Sequence, residues 1–240
     1  MPLILVLWDV DHTLIENGGV SKEVYAAALE SLTGRPATER VETDGRTDPV
    51  IMGDLLAKHG SSLSYDEHVR KALVEALNSK TDRLRERGHA LPGAVAALEA
   101  LRQDSHVVQS VLTGNIQPNA VVKLAVFGLD RFVDFDVGGY GSDDSIRSRL
   151  VRIAQLRAEK KYAGRGFTRS NTVIIGDTTR DVQTGLEGGG RVVAVATGPN
   201  SVAELRTAGA AVVLTDLVDT AAVLRAVLEG HRTLAAEESA

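Results

Sequence analysis

The chain is 240 residues long, 43% hydrophobic and 25% charged, with a formal net charge of −5 at pH 7. This is the composition of an ordinary folded, water-soluble protein, with room for one large domain or a core carrying an insert, and its acidic balance argues against general nucleic-acid binding. The absence of cysteine removes disulfides, thiolate metal sites and cysteine nucleophiles, in keeping with a cytoplasmic location.

Residues 3–8, Leu-Ile-Leu-Val-Leu-Trp, form an apolar run too short for a stable helix, with the make-up of a buried parallel strand. The run lacks a basic leader and is too short to cross a bilayer, so no membrane attachment is expected. A long helical stretch follows. Ser21 is placed to cap a helix over residues 22–32 with Val24, Ala28 and Leu29 on one face, and Gly34-Arg35-Pro36 stops it. The polar loop at residues 43–49 precedes a second helix through Leu55 and Leu56. Ser64 is placed to cap a third, carried by Val69, Leu73, Leu77 and Leu84. No strand signal occurs between Glu16 and Gly88, which marks residues 16–88 as a helical insert.

Strands and helices alternate from there on. Pro92-Gly93 opens a helix through Leu98 and Leu101, and residues 106–112 read as a strand ending in Thr113-Gly114-Asn115. Pro118 begins a helix that closes at Gly128, and residues 132–137 read as a short strand. Residues 146–162 are helical and Gly164-Arg165-Gly166 is a turn. The strand at 172–175 ends in Gly176-Asp177, and the helix from Thr178 runs into the stop Gly188-Gly189-Gly190. Strands at 191–196 and 211–214 each precede a helical stretch, and the tail from Leu234 is expected to fray. The pattern predicts an α/β fold: a Rossmann-like parallel sheet core, residues 1–15 and 89–240, with an inserted all-helical domain at 16–88.

Three strands end in polar residues rather than bland turns: Asp9 and Asp11, Thr113 and Asn115, and Asp177 and Asp181. Ligands of open α/β sheets bind just outside the carboxyl ends of their strands, so neighbouring strands would bring these tips together. Two carboxylates one residue apart repel unless a cation, a proton or a substrate needs them. An Asx turn with Thr13 capping the next element would explain one of the pair, not both.

On these residues the chain resembles the haloacid dehalogenase-like hydrolases. Asp9-Val10-Asp11-His12-Thr13 looks like the first motif of that superfamily, Thr113 the second, and Gly176-Asp177-Thr178-Thr179-Arg180-Asp181 the fourth. The helical insert is similar to the cap of phosphoglycolate-phosphatase-like members. The resemblance implies a phosphatase acting on a small phosphorylated metabolite through an aspartyl-phosphate. Asp9 is then the nucleophile, which splits a slow hydrolysis into two transfers. Mg²⁺ is the expected cofactor, held by Asp9, Asp177 and the backbone carbonyl of Asp11, since it prefers oxygen ligands and keeps several waters. The Asp11 carboxyl, left free, would protonate the departing alkoxide and take a proton from water. Asp181 is either a ligand or holder of metal-bound water, or an exposed carboxylate at a helix N-terminus. The Thr113 hydroxyl and the backbone N–H groups of Gly114 and Asn115 would bind phosphate oxygens, or Thr113 would merely cap its strand.

The chain departs from the family at two places. No lysine stands before the fourth-motif strand between Lys123 and Lys160, and the segment 142–149 supplies arginines instead. Arg147 is the expected phosphate cation, with Arg149 in reserve; Lys160 and Lys161 lie near the far end of the helix, and both arginines could instead form a solvated face. His12 stands where relatives frequently have glycine, and would touch the leaving group or the cap, or be a packed polar residue. Arg46, in the loop Asp44-Gly45-Arg46-Thr47-Asp48, is placed to read a second anionic group on the substrate, or belongs to turn chemistry. Asp11 disfavours a dehalogenase. A phosphomutase of the same superfamily would share every core residue, and a non-catalytic module binding phosphorylated ligands is the reading from another class. Exposed cap helices are compatible with a homodimer.

Overall fold

The computed structural model describes residues 3–39, 41–162 and 166–237. Strand β1 (Ile4–Trp8) is buried at every position, as its unbroken apolar sequence requires. Its Trp8 indole donates to Gln109 Oε1 at 3.1 Å, so the one large polar-tipped side chain in the strand has its partner. The short β2 (Ile15–Glu16) leads into four helices, α1 (Val20–Thr33), α2 (Asp48–Lys58), α3 (Glu67–Asn78) and α4 (Thr81–Arg87). The chain returns through β3 (His89–Ala90), which pairs antiparallel with β2, so the two crossings to the helices lie side by side.

The remainder alternates: α5 (Ala94–Arg102), β4 (Val107–Thr113), α6 (Gln117–Val126), β5 (Gly139–Tyr140), α7 (Arg147–Lys161), β6 (Thr172–Gly176), α8 (Thr179–Gly188), β7 (Arg191–Val195), α9 (Val202–Thr207), β8 (Val212–Leu214) and α10 (Thr220–Glu237). The six larger-sheet strands run in the order β5-β4-β1-β6-β7-β8, and every pair is parallel. Thus β1 lies between β4 and β6, and the chain reverses its winding there, the place where open sheets bind ligands. Helices α1–α4 share their own apolar cluster, with Leu29, Met52, Leu56, Leu73 and Leu84 at its centre. Ile116 is buried in the same cluster and Val122 and Val126 pack on it, so the insert rests on α6.

Several local expectations need correction. Ser21 does not cap α1; Gly19, in the left-handed region, precedes the helix, and Ser21 lies in its first turn. Ser64 does not cap α3 either, because the Asp66 carboxylate accepts from the His68 and Val69 N–H groups. The third helix is broken into α3 and α4, where the Ser79 and Thr81 hydroxyls donate to the carbonyls of Ala76, Leu77 and Asn78. Residues 132–137 are not a strand. Asp134 accepts from the Asp136 N–H at 3.1 Å, a local turn that competes with the ladder, and the edge strand forms later at Gly139–Tyr140. The C-terminal helix continues to Glu237, beyond Leu234 where fraying was expected. Gly164 and Arg165 of the expected turn lie outside the described residues. No helix among the described residues is long and apolar enough to cross a membrane.

Candidate active site

Asp9 follows β1 directly, and its N–H donates to the Ile175 carbonyl at 2.8 Å, so the first residue past the strand remains tied to β6. The neighbouring strands deliver Thr113 and Asp177 on either side. One cavity of about 60 Å³ lies over these tips. Asp9, Asp11, His12, Arg46, Thr113, Gly114, Asn115, Arg147 and Asp177, each singled out from the sequence, all border it.

The carboxylates are crowded. Burial pushes the Asp9 carboxyl up to about 7; the Arg147 guanidinium opposes this, while Asp181 and Asp11 add repulsion. Burial, followed by the Asp181 and Asp9 charges, raises Asp177 well above the ordinary carboxylate range. The Thr13 hydroxyl donates to Asp177 Oδ1 at 2.9 Å, but the buried Oδ2 has no hydrogen-bond partner. Gly198 lies against that carboxyl so closely that a Cβ there would overlap Oδ2. One oxygen each from Asp9, Asp177 and Asp181 lie within 4.8 Å of one another.

Arg147 opens α7 and enters this group. Its Nη2 donates to Asp9 Oδ1 at 2.9 Å and to Asp181 Oδ1 at 2.5 Å. Burial works against its charge, but the Asp181 and Asp9 carboxylates outweigh burial and raise it above its ordinary value. Arg149 instead faces outward toward Asp144 at 3.3 Å, Lys160 is exposed, and Lys161 pairs with Asp134 and Asp136. Asp181 is fully buried, so it is not an exposed carboxylate. Its Oδ2 accepts from the Thr178 N–H and hydroxyl in a capping box at the start of α8, and its Oδ1 is taken by Arg147.

The Asp11 carboxyl is not free, contrary to expectation. Lys123 Nζ donates to both oxygens, at 2.9 and 2.7 Å, and the Asn17 and Asn115 amides add bonds of 2.8 Å each. Burial pushes Asp11 up, but the Lys123 ammonium and the Asn115, Lys123 and Asn17 hydrogen bonds outweigh it and bring the carboxyl down to about 2. Lys123 also bonds Ser21 Oγ at 2.8 Å and Asn115 Oδ1 at 2.7 Å. Sequence reasoning missed Lys123. The signal was there: Ile116, Ala120, Lys123 and Leu124 share the buried face of α6, and a lysine in such a stripe requires a partner. We expect Lys123→Met to leave Asp11 as an uncompensated buried charge and lower stability by about 3–5 kcal/mol, read by urea unfolding. Unchanged stability would show that the pair is solvated.

His12 has φ 61°, the one non-glycine residue with positive φ among those described, in the left-handed region that favours glycine. Its Nδ1 lies 2.8 Å from Glu16 Oε2. Thr113 Oγ1 accepts from the Asn115 N–H and amide at 3.2 and 2.8 Å. Arg46 borders the cavity with its guanidinium turned to Asp54 at 2.5 Å and to the Glu42 carbonyl at 3.1 Å. The insert is docked. The Asp48 N–H donates to the Gly114 carbonyl, the Asp48 carboxylate accepts from Tyr25 and the Ile116 N–H, and Gly114 packs under the Arg46 carbonyl with no space for a Cβ.

Comparison with known proteins bears on the fold and the family. No curated protein matches the chain. Among solved structures it is similar to a hydrolase from Pseudomonas syringae, at 23% identity and TM-score 0.61, with 90% of this chain and 95% of that one covered. It is similar to a HAD hydrolase, family IA, variant 3, from Entamoeba histolytica, at 19% identity and TM-score 0.66, covering 95% and 99%. It is also similar to a HAD family hydrolase from Deinococcus radiodurans with bound phosphate and sodium, at 19% identity and TM-score 0.57, covering 95% and 96%. At these identities the likeness is one of fold. The sequence itself matches the family described as haloacid dehalogenase-like hydrolase over residues 6–185, and the chain belongs to that family.

Proposed function

We propose that this protein is a Mg²⁺-dependent phosphatase that hydrolyses a small phosphorylated metabolite through an aspartyl-phosphate on Asp9. The observation that carries the reading is the meeting of Asp9, Asp177, Arg147 and Thr113 around one small cavity at the switch point of the sheet. The phosphate and sodium in the Deinococcus radiodurans structure support it by analogy of fold.

The residues present fit a hard divalent cation. Asp177 Oδ2 is buried and unpartnered, the donor set is all oxygen, and the Asp9 and Asp177 oxygens are close enough to share an ion. Asp9, Asp177 and the Asp11 backbone carbonyl are the ligands we assign, with Asp181 holding Arg147 behind them. When bound, the cation supplies charge that screens Asp9 from the phosphate oxygens and polarises the phosphoryl group.

The protein's own groups do the rest. An Asp9 oxygen attacks phosphorus as the bond to the leaving oxygen breaks, and that oxygen leaves with the electron pair. Arg147 and the Thr113 hydroxyl bind the phosphoryl oxygens, with the N–H groups of Gly114 and Asn115 beside them. A proton for the departing oxygen is relayed through Asp11 from the Lys123 ammonium that bonds both its oxygens, and the pair recovers it when the Asp11 carboxylate takes a proton from the water that hydrolyses the aspartyl-phosphate. Its pairing with Lys123 keeps the resting carboxylate ionised, the form that second step requires. Helices α1–α4, read as a cap domain at 16–88, exclude bulk water when docked. Release of phosphate from p-nitrophenyl phosphate with Mg²⁺, abolished by EDTA, is the expected result; a folded protein without turnover under these conditions rejects the reading.

A pH effect follows from the raised Asp9 and Asp177 carboxyls. Between the ordinary carboxylate range and about 7 the folded state holds more protons than the unfolded state, so stability without metal falls as pH rises through that window. A cation must displace those protons, so its affinity rises with pH. Thermal melts in EDTA should drop between pH 5.5 and 8, and MgCl₂ should raise the midpoint more at pH 8. An equal Mg²⁺ shift at both values would contradict the linkage.

A further inference from the structure

The phosphoryl end of the cavity belongs to the sheet, so a leaving alcohol in line with Asp9 faces the helical insert. The insert supplies Ser21, Tyr25, Asp44, Arg46 and Asp48 to that side. Space is short. A water needs roughly 10–15 Å³, so about 60 Å³ holds a phosphoryl group and few further atoms before the cavity opens to solvent. The loop packs closely on the sheet's side of the cavity, where Gly45 lies against Thr178 and Arg180 with no room for a Cβ.

The charges on this wall are one-sided. Arg46 is the insert's one cation at the cavity among the described residues, and its guanidinium is already engaged by Asp54 and by the Glu42 carbonyl. Both Asp48 oxygens are occupied, by the Tyr25 hydroxyl and the Ile116 N–H. Asp44 differs. Its Oδ1 accepts only a long bond of 3.3 Å from the Thr43 hydroxyl, and its other oxygen has no hydrogen bond among the described residues. A substrate carboxylate here would meet the Asp44 anion and, among the described residues, no uncommitted cation, whereas an ammonium or hydroxyl would meet an acceptor.

We infer that the site takes the phosphate ester of a short alcohol bearing an ammonium or hydroxyl group, rejects esters carrying a second anion, and makes this choice through Asp44. The inference rests on the phosphatase reading of the same cavity, and it reverses the expectation that Arg46 reads a second anionic group.

Three esters on one two-carbon skeleton isolate the charge: phosphoethanolamine, 2-hydroxyethyl phosphate and phosphoglycolate. Their binding to the Asp9→Asn protein with Mg²⁺ is measured by calorimetry, which needs no turnover. The expected order is ammonium, hydroxyl, carboxylate, with at least about a tenfold gap between the first and last. Asp44→Asn on the same background should shrink that gap to about threefold. Phosphoglycolate binding as tightly as phosphoethanolamine, an unchanged gap in the Asp44→Asn protein, or no binding by any of the three would each overturn the inference. Turnover of p-nitrophenyl phosphate by the unaltered protein tests the phosphatase reading separately. Its absence alongside an intact binding order would remove the reaction and leave the charge selection standing.

Discussion

Replacing Asp9 by Asn should reduce turnover by at least about 10⁴-fold while leaving the fold in place. An amide oxygen is a poor nucleophile, and if Asp9 forms the covalent intermediate nothing else in the cavity can substitute for it. Among the other carboxylates of the sheet, Asp11 is paired with Lys123 and Asp181 with Thr178 and Arg147, Asp177 is held through Oδ1 by Thr13, and Asp44 and Asp48 belong to the insert's side of the cavity. The change is isosteric, and the amide oxygen can still accept from Arg147. It also removes one of the mutually repelling buried carboxylates that raise Asp9 and Asp177. The melting midpoint in EDTA should therefore move by only a few degrees, and at pH 8 it should not fall. Two measurements check this: steady-state hydrolysis of p-nitrophenyl phosphate, and acid-quench labelling of the peptide containing Asp9 in the unaltered protein. Near-normal turnover in the Asn variant would remove Asp9 as nucleophile, whatever the labelling shows.

The inner strands β1, β6 and β7 were legible because they are buried on both faces and carry largely apolar runs. Ile4–Trp8, Thr172–Gly176 and Arg191–Val195 needed no tertiary information beyond that. The edge strand was not legible. Gly139–Tyr140 has two residues and no apolar run, and the more strand-like stretch before it is diverted by the Asp134 turn. Caps failed for a related reason. Ser21 and Ser64 are good capping residues by type, yet Gly19 and Asp66 precede the helices in space, and Ser21 is used by Lys123 instead. The cavity's strand-tip residues could be listed from motifs alone, whereas their partners could not. That Lys123 reaches Asp11 across 112 residues, or that Asp181 turns inward to hold Arg147, depends on how α6, α7 and α8 pack on the sheet. His12 is an intermediate case. Its position next to the strand-tip carboxylates was readable, but its left-handed backbone at φ 61° was not, because nothing local in the sequence announces that conformation.

Arg147→Ala should lower both stability and turnover, and Arg149→Ala should do neither. Arg147 is 10% exposed and is the only cation bonded to Asp9 and Asp181 among the described residues. Its loss leaves two buried carboxylates without their partner, which costs about 3–5 kcal/mol when one member of a buried pair is removed. Arg147 lowers the Asp9 carboxyl, so without it Asp9 takes its proton at a pH above about 7, and the cost should shrink as pH falls toward 7 from the alkaline side. Turnover should fall about 10²–10³-fold, the loss expected when one preorganised donor to a developing anion is deleted. Arg149 pairs with Asp144 at 3.3 Å and is 64% exposed, so its removal should change stability by less than about 1 kcal/mol and turnover by less than about twofold. Arg147→Lys separates charge from shape. A lysine keeps the positive charge, and a single ammonium can replace the one nitrogen, Nη2, that bonds both Asp9 and Asp181, but it lacks the further donors of the planar guanidinium, so it should recover more stability than turnover. Urea unfolding at pH 6 and 8, with kcat/KM for each variant, gives the comparison. A larger turnover loss for Arg149→Ala than for Arg147→Ala would mean that the phosphate-facing cation stands one half-turn further along α7.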